Sequence, residues 1–222
     1  MKKLFSSFKP IFRNYFLILL VYFFFYISSG GMENNIPFLF EKRIGNSLYG
    51  IFLSLLSIMD VVLPLLIVYF SKKFTPLAVG GLSLLLGAGA AVGISLTENK
   101  AVIFAGLFLI YCVRIMFNYS AGNSFNLAVP SEEWTGYFAL RDIFLYGAIA
   151  ISTWLSGWLI GKWNMEAAYG FLSVGFLIAL VFTWNGRKWI QRERRGKNTF
   201  KRVHRADWKC NSGSCCAYVF TD

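Results

Sequence analysis

The sequence has little of what enzymes and metal sites most often use. Its 222 residues include one histidine and four cysteines. The histidine, His204, and three of the cysteines (Cys210, Cys215 and Cys216) lie near the C-terminus, without the paired spacings of zinc sites. The sequence also lacks the H-E-x-x-H and G-x-S-x-G motifs and a glycine-rich ATP-binding loop. We therefore expect no enzyme, no bound metal and no cofactor.

Charged residues are also scarce. They make up 15% of the chain, whereas 56% of the residues are hydrophobic and the mean hydropathy is +0.54. The apolar residues form blocks of about 20 residues, the length of a helix that crosses a bilayer. The blocks are Phe12–Met32, Leu48–Phe70, Pro76–Leu96, Ala101–Tyr119, Tyr137–Gly161 and Ala167–Trp184. They predict an all-α, polytopic membrane helix bundle of six transmembrane helices, with no soluble domain of useful size.

The N-terminal stretch also has the basic start and apolar run of a signal peptide. It lacks a small-residue cleavage site, however, and is rich in phenylalanine and tyrosine. We therefore expect the first helix to be retained.

The 22 basic residues outnumber the 11 acidic ones, and their placement predicts the orientation. If the N-terminus is cytoplasmic, the outer loops hold only Lys42, Arg43, Lys100 and Lys162, and the inner segments hold nearly all the rest. By the positive-inside rule, both termini of this multi-pass chain then lie on the cytoplasmic side of the cell membrane. Residues 1–186 are predicted to form the membrane domain. We expect residues 187–222 to be a disordered basic tail that meets anionic lipid rather than nucleic acid.

The links between the blocks are short, which predicts antiparallel neighbours in one bundle. Longer links are predicted only at residues 40–47 and 120–136. Glycines on the third helix (Gly80, Gly81, Gly87, Gly89 and Gly93) and on the fifth (Gly157 and Gly161) predict close packing of helix backbones. Cys112, within the fourth helix, is predicted to be a small apolar packing residue.

Ionisable residues within the apolar blocks are the main functional signal, because charge at membrane depth is costly and usually faces a cavity or a partner. They are Glu33 in helix 1, Asp60 in helix 2, Arg114 in helix 4, and Arg141 with Asp142 in helix 5. Helices 3 and 6 have none. This division predicts that helices 1, 2, 4 and 5 line a cavity and that helices 3 and 6 face lipid or act as a scaffold.

Helical spacing groups some of these residues into polar stripes. One stripe, on helix 2, consists of Ser54, Ser57, Asp60 and Pro64. A second, on helix 4, consists of Tyr111, Arg114 and Asn118. A purely structural interpretation stays open, in which Asp60 and Arg114 are a buried pair that only fixes helix packing.

Two stretches resemble the major facilitator superfamily of secondary transporters, specifically its N-terminal six-helix half. In "GIFLSLLSIMDVVLPLLIVYFSKKFTPLAVGGL", Gly50 and Pro64 match the second helix of that family. The loop signature that follows departs from the family pattern, since only the basic residue at Lys73 remains. In the stretch from Arg114 to Gly161, matching residues are Arg114, Gly122, Val129, Pro130, Glu133, Gly136, Gly147, Gly157 and Gly161.

The resemblance covers about residues 12–185 and implies half of a transporter fold, built as a three-plus-three inverted repeat. Together with the charges, it predicts a transporter or permease-like protein that moves a small solute by alternating access, with proton coupling as one option. The candidates for contact with solute or proton are Glu33 and Asp60, with Arg114 as counter-charge and Asn118 beside it. Arg141 and Asp142 are weaker candidates, because they lie near the inner end of helix 5.

Two other interpretations stay open at the level of sequence. The chain could be a truncated or frameshifted transporter fragment that does not transport, or a small membrane interaction or immunity protein. If it does transport, the expected partners are the solute, membrane lipid, and either a second copy of the chain or a separate C-terminal half.

Overall fold

The six predicted membrane helices are confirmed. The computed structural model describes residues 2–70, 73–126 and 128–185, and six helices within them are long and apolar enough to cross a membrane. They are α1 (Lys2–Glu33), α2 (Ser47–Phe70), α3 (Pro76–Ser95), α4 (Lys100–Phe117), α5 (Trp134–Lys162) and α6 (Met165–Asn185). The described part contains no strand. The predicted basic tail, with His204 and its neighbouring cysteines, lies outside the described residues.

Local sequence signals fix the starts of two helices. Thr75 precedes α3, and its hydroxyl oxygen accepts a hydrogen bond from the Ala78 N–H at 3.3 Å. Pro76 then occupies the first helical turn, where its missing N–H costs nothing. Asn99 caps α4 in the same way, through an Ala101 N–H at 2.9 Å from its side-chain oxygen.

Two segments predicted as loops are largely helical. After α1, a short helix at Ile36–Leu39 passes into a π-helical turn at Phe40–Ile44, and Gly45 ends it with a φ of 116°. α4 continues through a π-helical turn at Asn118–Gly122 and a last helical turn to Asn126. The physical reason is burial, because both segments place apolar side chains such as Phe40 and Phe125 in the core. π-helical turns within longer helices often occur at functional sites.

The helices pack in two layers. In the front layer, α1 lies between α4 and α5, and α2 lies on the far side of α4. The ring of Phe25 on α1 stacks on Phe117 of α4 at 4.0 Å between centroids. On the other side of α1, Asn34 donates a hydrogen bond to the Thr153 hydroxyl of α5 at 2.6 Å. The first helix thus contacts a helix on each of its sides within this layer.

The back layer consists of α3 and α6. Ser28 of α1 donates a 2.6 Å hydrogen bond to the Leu172 carbonyl of α6, and Phe176 of α6 reaches both Phe25 and the backbone of α3 at Gly87. The predicted scaffold helices are therefore the ones behind α1 and α4. Cys112 is buried among apolar residues, as predicted.

The prediction that glycines allow close packing of helix backbones is confirmed for only some of the glycines named above. Gly80 directly faces Ala121 in the π-helical turn of α4, and Gly87 faces Val113 of α4. A side chain at Gly89, by contrast, would meet nothing within 4 Å. The same is true of Gly93, Gly157 and Gly161. The prediction of close packing was wrong for these four, because they lie on helix faces that no described residue covers.

Candidate functional site

Arg114 and Glu33 form an ion pair between α4 and α1. The Arg114 guanidinium donates through Nη1 to Glu33 Oε2. Arg114 lies 14 residues after Lys100, so it is about 21 Å along α4 from the start of that helix. The side chain of Glu33 is 19% exposed and that of Arg114 is 41% exposed. Glu33 Oε1 is buried and has no hydrogen-bond partner among the described residues.

Asp60 of α2 contacts the same part of α4 but binds a different residue. Its Oδ1 and Oδ2 accept from the Tyr111 hydroxyl at 2.9 and 2.8 Å. The alternative of a buried Asp60–Arg114 pair is therefore wrong. Tyr111 and Arg114, one turn apart on α4, select different carboxylates because α1 and α2 pack on different sides of α4. We call these four residues, Glu33, Asp60, Tyr111 and Arg114, the paired cluster.

Asp60 is exposed, although it lies in the middle of a membrane-spanning helix. Ser54 and Ser57, on the same stripe, are also exposed and donate to the carbonyls of Gly50 and Leu53 in their own helix. The polar stripe predicted on α2 thus exists, but it is exposed within the described residues, and only Asp60 reaches α4, at the edge of the contact between the two helices.

The stripe on α4 continues one turn further toward the predicted inner side. Asn118 Oδ1 accepts from the Tyr26 hydroxyl of α1 at 3.1 Å. Another hydroxyl of α1, that of Tyr22, lies 3.1 Å from the Gly122 carbonyl oxygen and 3.3 Å from Asn126 Oδ1. The π-helical turn widens α4 at this point. The two tyrosines bind polar groups of that turn, namely the Asn118 side chain and the Gly122 carbonyl.

Beside these contacts lies a cavity of about 400 Å³ between α1, α4 and α5. Six of the lining residues are tyrosines or asparagines: Tyr22, Tyr26, Tyr119, Asn118, Asn123 and Asn126. Arg141 and Leu145 of α5 complete the lining. This volume lies in the range of sites that bind small molecules.

Arg141 is the charged residue of that lining, and a neighbouring carboxylate partly balances it. Its Nε and Nη2 donate to Asp142 Oδ1 at 3.1 and 2.8 Å. The guanidinium also lies over the Phe138 ring, 4.7 Å from its centroid. The side chain of Arg141 is 24% exposed and that of Asp142 is 46% exposed. Only Arg141 of the two borders the cavity.

The structure thus separates the predicted site residues into two sets. Asn118 and Arg141 border the cavity, whereas Glu33, Asp60 and Arg114 form part of the paired cluster. The prediction that helix 2 lines the cavity was wrong, because α2 contributes no residue to its lining.

Sequence reasoning also missed most of the cavity residues, although a signal was present. Tyr15, Tyr22 and Tyr26 are spaced seven and four residues apart, which places them along one side of α1. The asparagine spacing from Asn118 to Asn126 likewise follows two helical turns. No group of three or more residues suited to binding a metal ion occurs in the described part of the chain.

Comparison with solved structures finds a similar fold in the POT family transporter PepTSo, determined in meso. The TM-score is 0.64 at 20% sequence identity, and the match covers 79% of this chain and 37% of the transporter. The chain thus spans less than half the length of the solved protein it matches. No family model matches the sequence. No curated protein matches it either. The similarity is one of fold, and it agrees with the six-helix half expected from the sequence.

Proposed function

We propose that the chain is a six-helix half of a secondary membrane transporter, which moves a small solute by alternating access. The observation that carries this proposal is the polar cavity of about 400 Å³ between three membrane-spanning helices. A cavity lined by tyrosine, asparagine and arginine is costly in a bundle that only fills a membrane, because lipid cannot satisfy those groups. The fold similarity to a transporter supports the same conclusion.

The two outermost helices of the front layer, α2 and α5, supply the reason for calling the chain a half. Only 17% of the apolar window of α2 and 22% of that of α5 are buried, against 67% for α1. Large apolar residues are exposed on both helices, among them Val61, Leu65, Ile143 and Trp154. Lipid could cover these residues, but it could not cover Asp60 on α2 without a high cost. A second body therefore covers this surface.

That second body is either another copy of the chain or a separate C-terminal half. Six crossings bring both ends of the chain to the same side, so two copies insert in the same orientation. A parallel pair of six-helix units is the arrangement of larger transporters of this kind. In either case, we expect the partner to contact Asp60. It would also contact the exposed edge of the cavity, which is formed by Tyr119 and Asn123.

The orientation with both termini cytoplasmic, in the cell membrane, is part of the proposal. It is tested with single cysteines at Leu96 and Phe74, which are 81% and 56% exposed in the links on opposite sides of α3. A membrane-impermeant maleimide added to intact cells should label Leu96→Cys and spare Phe74→Cys. The opposite pattern would reverse the orientation.

Alternating access is tested with a cysteine at Leu145, the apolar residue of the cavity wall, in a variant whose four native cysteines are replaced. Leu145→Cys should react with the impermeant maleimide in both right-side-out and inside-out vesicles, because the cavity opens to each side in turn. The matched control is Ile143→Cys. Ile143 lies two residues earlier, on the opposite side of α5, and is 64% exposed away from the cavity, so it should react from neither side. Labelling of Leu145→Cys from one side only would show a static pocket and contradict transport by this chain.

A further inference from the structure

We infer that the cavity selects small organic anions and that Arg141 binds their carboxylate or equivalent acidic group. This inference rests on the proposed function, since it names the class of solute that the proposed transporter would carry. It follows from which hydrogen-bonding atoms of the lining are already used and which remain available.

The charge of the lining is positive. Arg141 borders the cavity, and no carboxylate does. Asp142 engages Nε and Nη2 of Arg141 through a single oxygen, Oδ1, at 3.1 and 2.8 Å. Among the described residues, Nη1 has no hydrogen-bond partner. An incoming carboxylate can therefore bind at Nη1, and it can replace Asp142 at Nη2 to form the two-point contact that a guanidinium favours.

Two asparagines that line the same cavity as Arg141 also present donors. The Tyr26 hydroxyl occupies Asn118 Oδ1 at 3.1 Å, so the free end of that amide is its NH2 group. At Asn126, the side-chain oxygen lies 3.3 Å from the Tyr22 hydroxyl, whose single hydrogen is shared with the Gly122 carbonyl at 3.1 Å. The NH2 group of Asn126 has no hydrogen-bond partner among the described residues. An ionised carboxylate only accepts hydrogen bonds, so it matches the donors of Arg141, Asn118 and Asn126. At Asn123 the NH2 group already donates to the Tyr119 carbonyl at 3.2 Å, so that residue presents its oxygen to the cavity instead.

Other classes of solute match this wall less well. A cation would meet the guanidinium of Arg141 without a carboxylate in the lining to balance it. A neutral amide would place its own donors against the donors of the asparagines, and a polar group left without a partner in a binding site lowers affinity. The three tyrosine rings in the lining favour an organic body over a bare inorganic ion.

Three aromatic compounds of similar size test the inference: benzoate, benzamide and benzylamine. Binding of radiolabelled benzoate to the purified full-length protein is measured by equilibrium dialysis, with the other two as competitors. We expect benzoate to bind, benzamide to compete about tenfold more weakly or worse, and benzylamine not to compete. Absence of benzoate binding at millimolar concentration, or equal competition by benzamide, would overturn the inference.

Variants of Arg141 and Asp142 test whether benzoate binds at Arg141. Arg141→Gln should weaken benzoate binding about tenfold or more, and Arg141→Lys should weaken it less. Asp142→Asn should tighten binding, because it removes the carboxylate that competes for Arg141. A merely structural role of the pair would not produce that gain. If Arg141→Gln folds poorly, the double variant Arg141→Gln with Asp142→Asn removes both charges and should show the same loss. The control Lys100→Gln removes one positive charge at the far end of α4 and should bind benzoate normally.

Two further outcomes separate this inference from its rivals. If phosphatidylglycerol added to the detergent micelles displaces benzoate through Arg141, the anion recognised is a lipid headgroup and the inference fails. If Leu145→Cys is labelled from both sides while benzoate does not bind, the proposed transport stands and the anion selectivity fails. Benzoate binding with one-sided labelling would be the reverse result, in which the anion site stands without transport.

Discussion

Two polar regions lie one after the other along α4, and they differ in how their polar groups are satisfied. In the paired cluster, Arg114 binds Glu33 and Tyr111 binds Asp60, so each charge meets a partner from another helix. Around the cavity, the partners of Asn118 and Arg141 use only part of their hydrogen-bonding capacity. The first arrangement holds three helices together, whereas the second leaves donors for a ligand. Charge within a membrane thus identifies both kinds of region but does not distinguish them.

The largest expected effect comes from breaking the ion pair of the paired cluster. Glu33→Gln leaves Arg114 without its counter-charge, and a guanidinium cannot lose its proton to become neutral. The cost for a buried pair is about 3–5 kcal/mol, and we expect the lower end because Arg114 is partly exposed. Thermal unfolding of the purified protein in detergent measures the loss.

The partner variants of that pair test the reason for the loss. Arg114→Gln should be milder, because the stranded Glu33 can take up a proton. The double variant Glu33→Gln with Arg114→Gln should recover most of the stability. A double variant as unstable as Glu33→Gln alone would show that the contribution of the pair is not mainly electrostatic.

The next effect concerns the wall behind the cavity. Gly80 of α3 faces Ala121, which belongs to the π-helical turn of α4. Gly80→Ala would force the two backbones apart, and overpacking of this kind costs about 1–3 kcal/mol. Gly89→Ala on the same helix meets open space and should be neutral or stabilise by up to about 1 kcal/mol. Equal unfolding temperatures for the two variants would contradict the close packing of α3 on this turn.

A smaller effect is expected at Asp60, and it separates structure from function. Asp60→Asn keeps an oxygen that can accept from Tyr111, so the folded yield in detergent should be nearly normal. If Asp60 contacts solute or the second body, the same variant should lose transport or association. Normal flux and normal association in a well-folded Asp60→Asn protein would remove Asp60 from the mechanism.

The smallest effect should follow from Tyr26→Phe. Loss of the hydroxyl frees Asn118 to rotate, which should cost about 0.5–1.5 kcal/mol of stability and weaken benzoate binding a few-fold. Tyr49→Phe is the matched control, since the Tyr49 ring packs near Phe40 at a distance from the cavity. If both variants bind benzoate equally well, the hydroxyl of Tyr26 does not orient the donor of Asn118.

The sequence predicted the helices well and the pairing of their charges poorly. Apolar blocks of about 20 residues specify membrane helices, because the bilayer sets their length. Which carboxylate Arg114 binds depends on how α1 and α2 are rotated against α4, and one sequence contains no direct measure of that rotation. The π-helical turn at Asn118–Gly122 shifts the register of the helix again, so the link predicted at residues 120–136 proved mostly helical. The cavity lies at this turn. A regular helical pattern does not describe the turn, so the cavity residues could not be predicted from such a pattern.

Exposure of Asp60 and of the α2 and α5 faces supports the central proposal, in which this chain is one half of a transporter and a second unit covers these faces. The most direct test is the mass of the tagged chain purified from its native membrane in mild detergent, together with its half-life there. One chain has a mass of 25.2 kDa. We predict a particle about twice as large, in which the second unit is another copy or a separate six-helix protein. A long-lived, folded monomer of one chain would contradict the claim, because Asp60 would then face lipid without penalty.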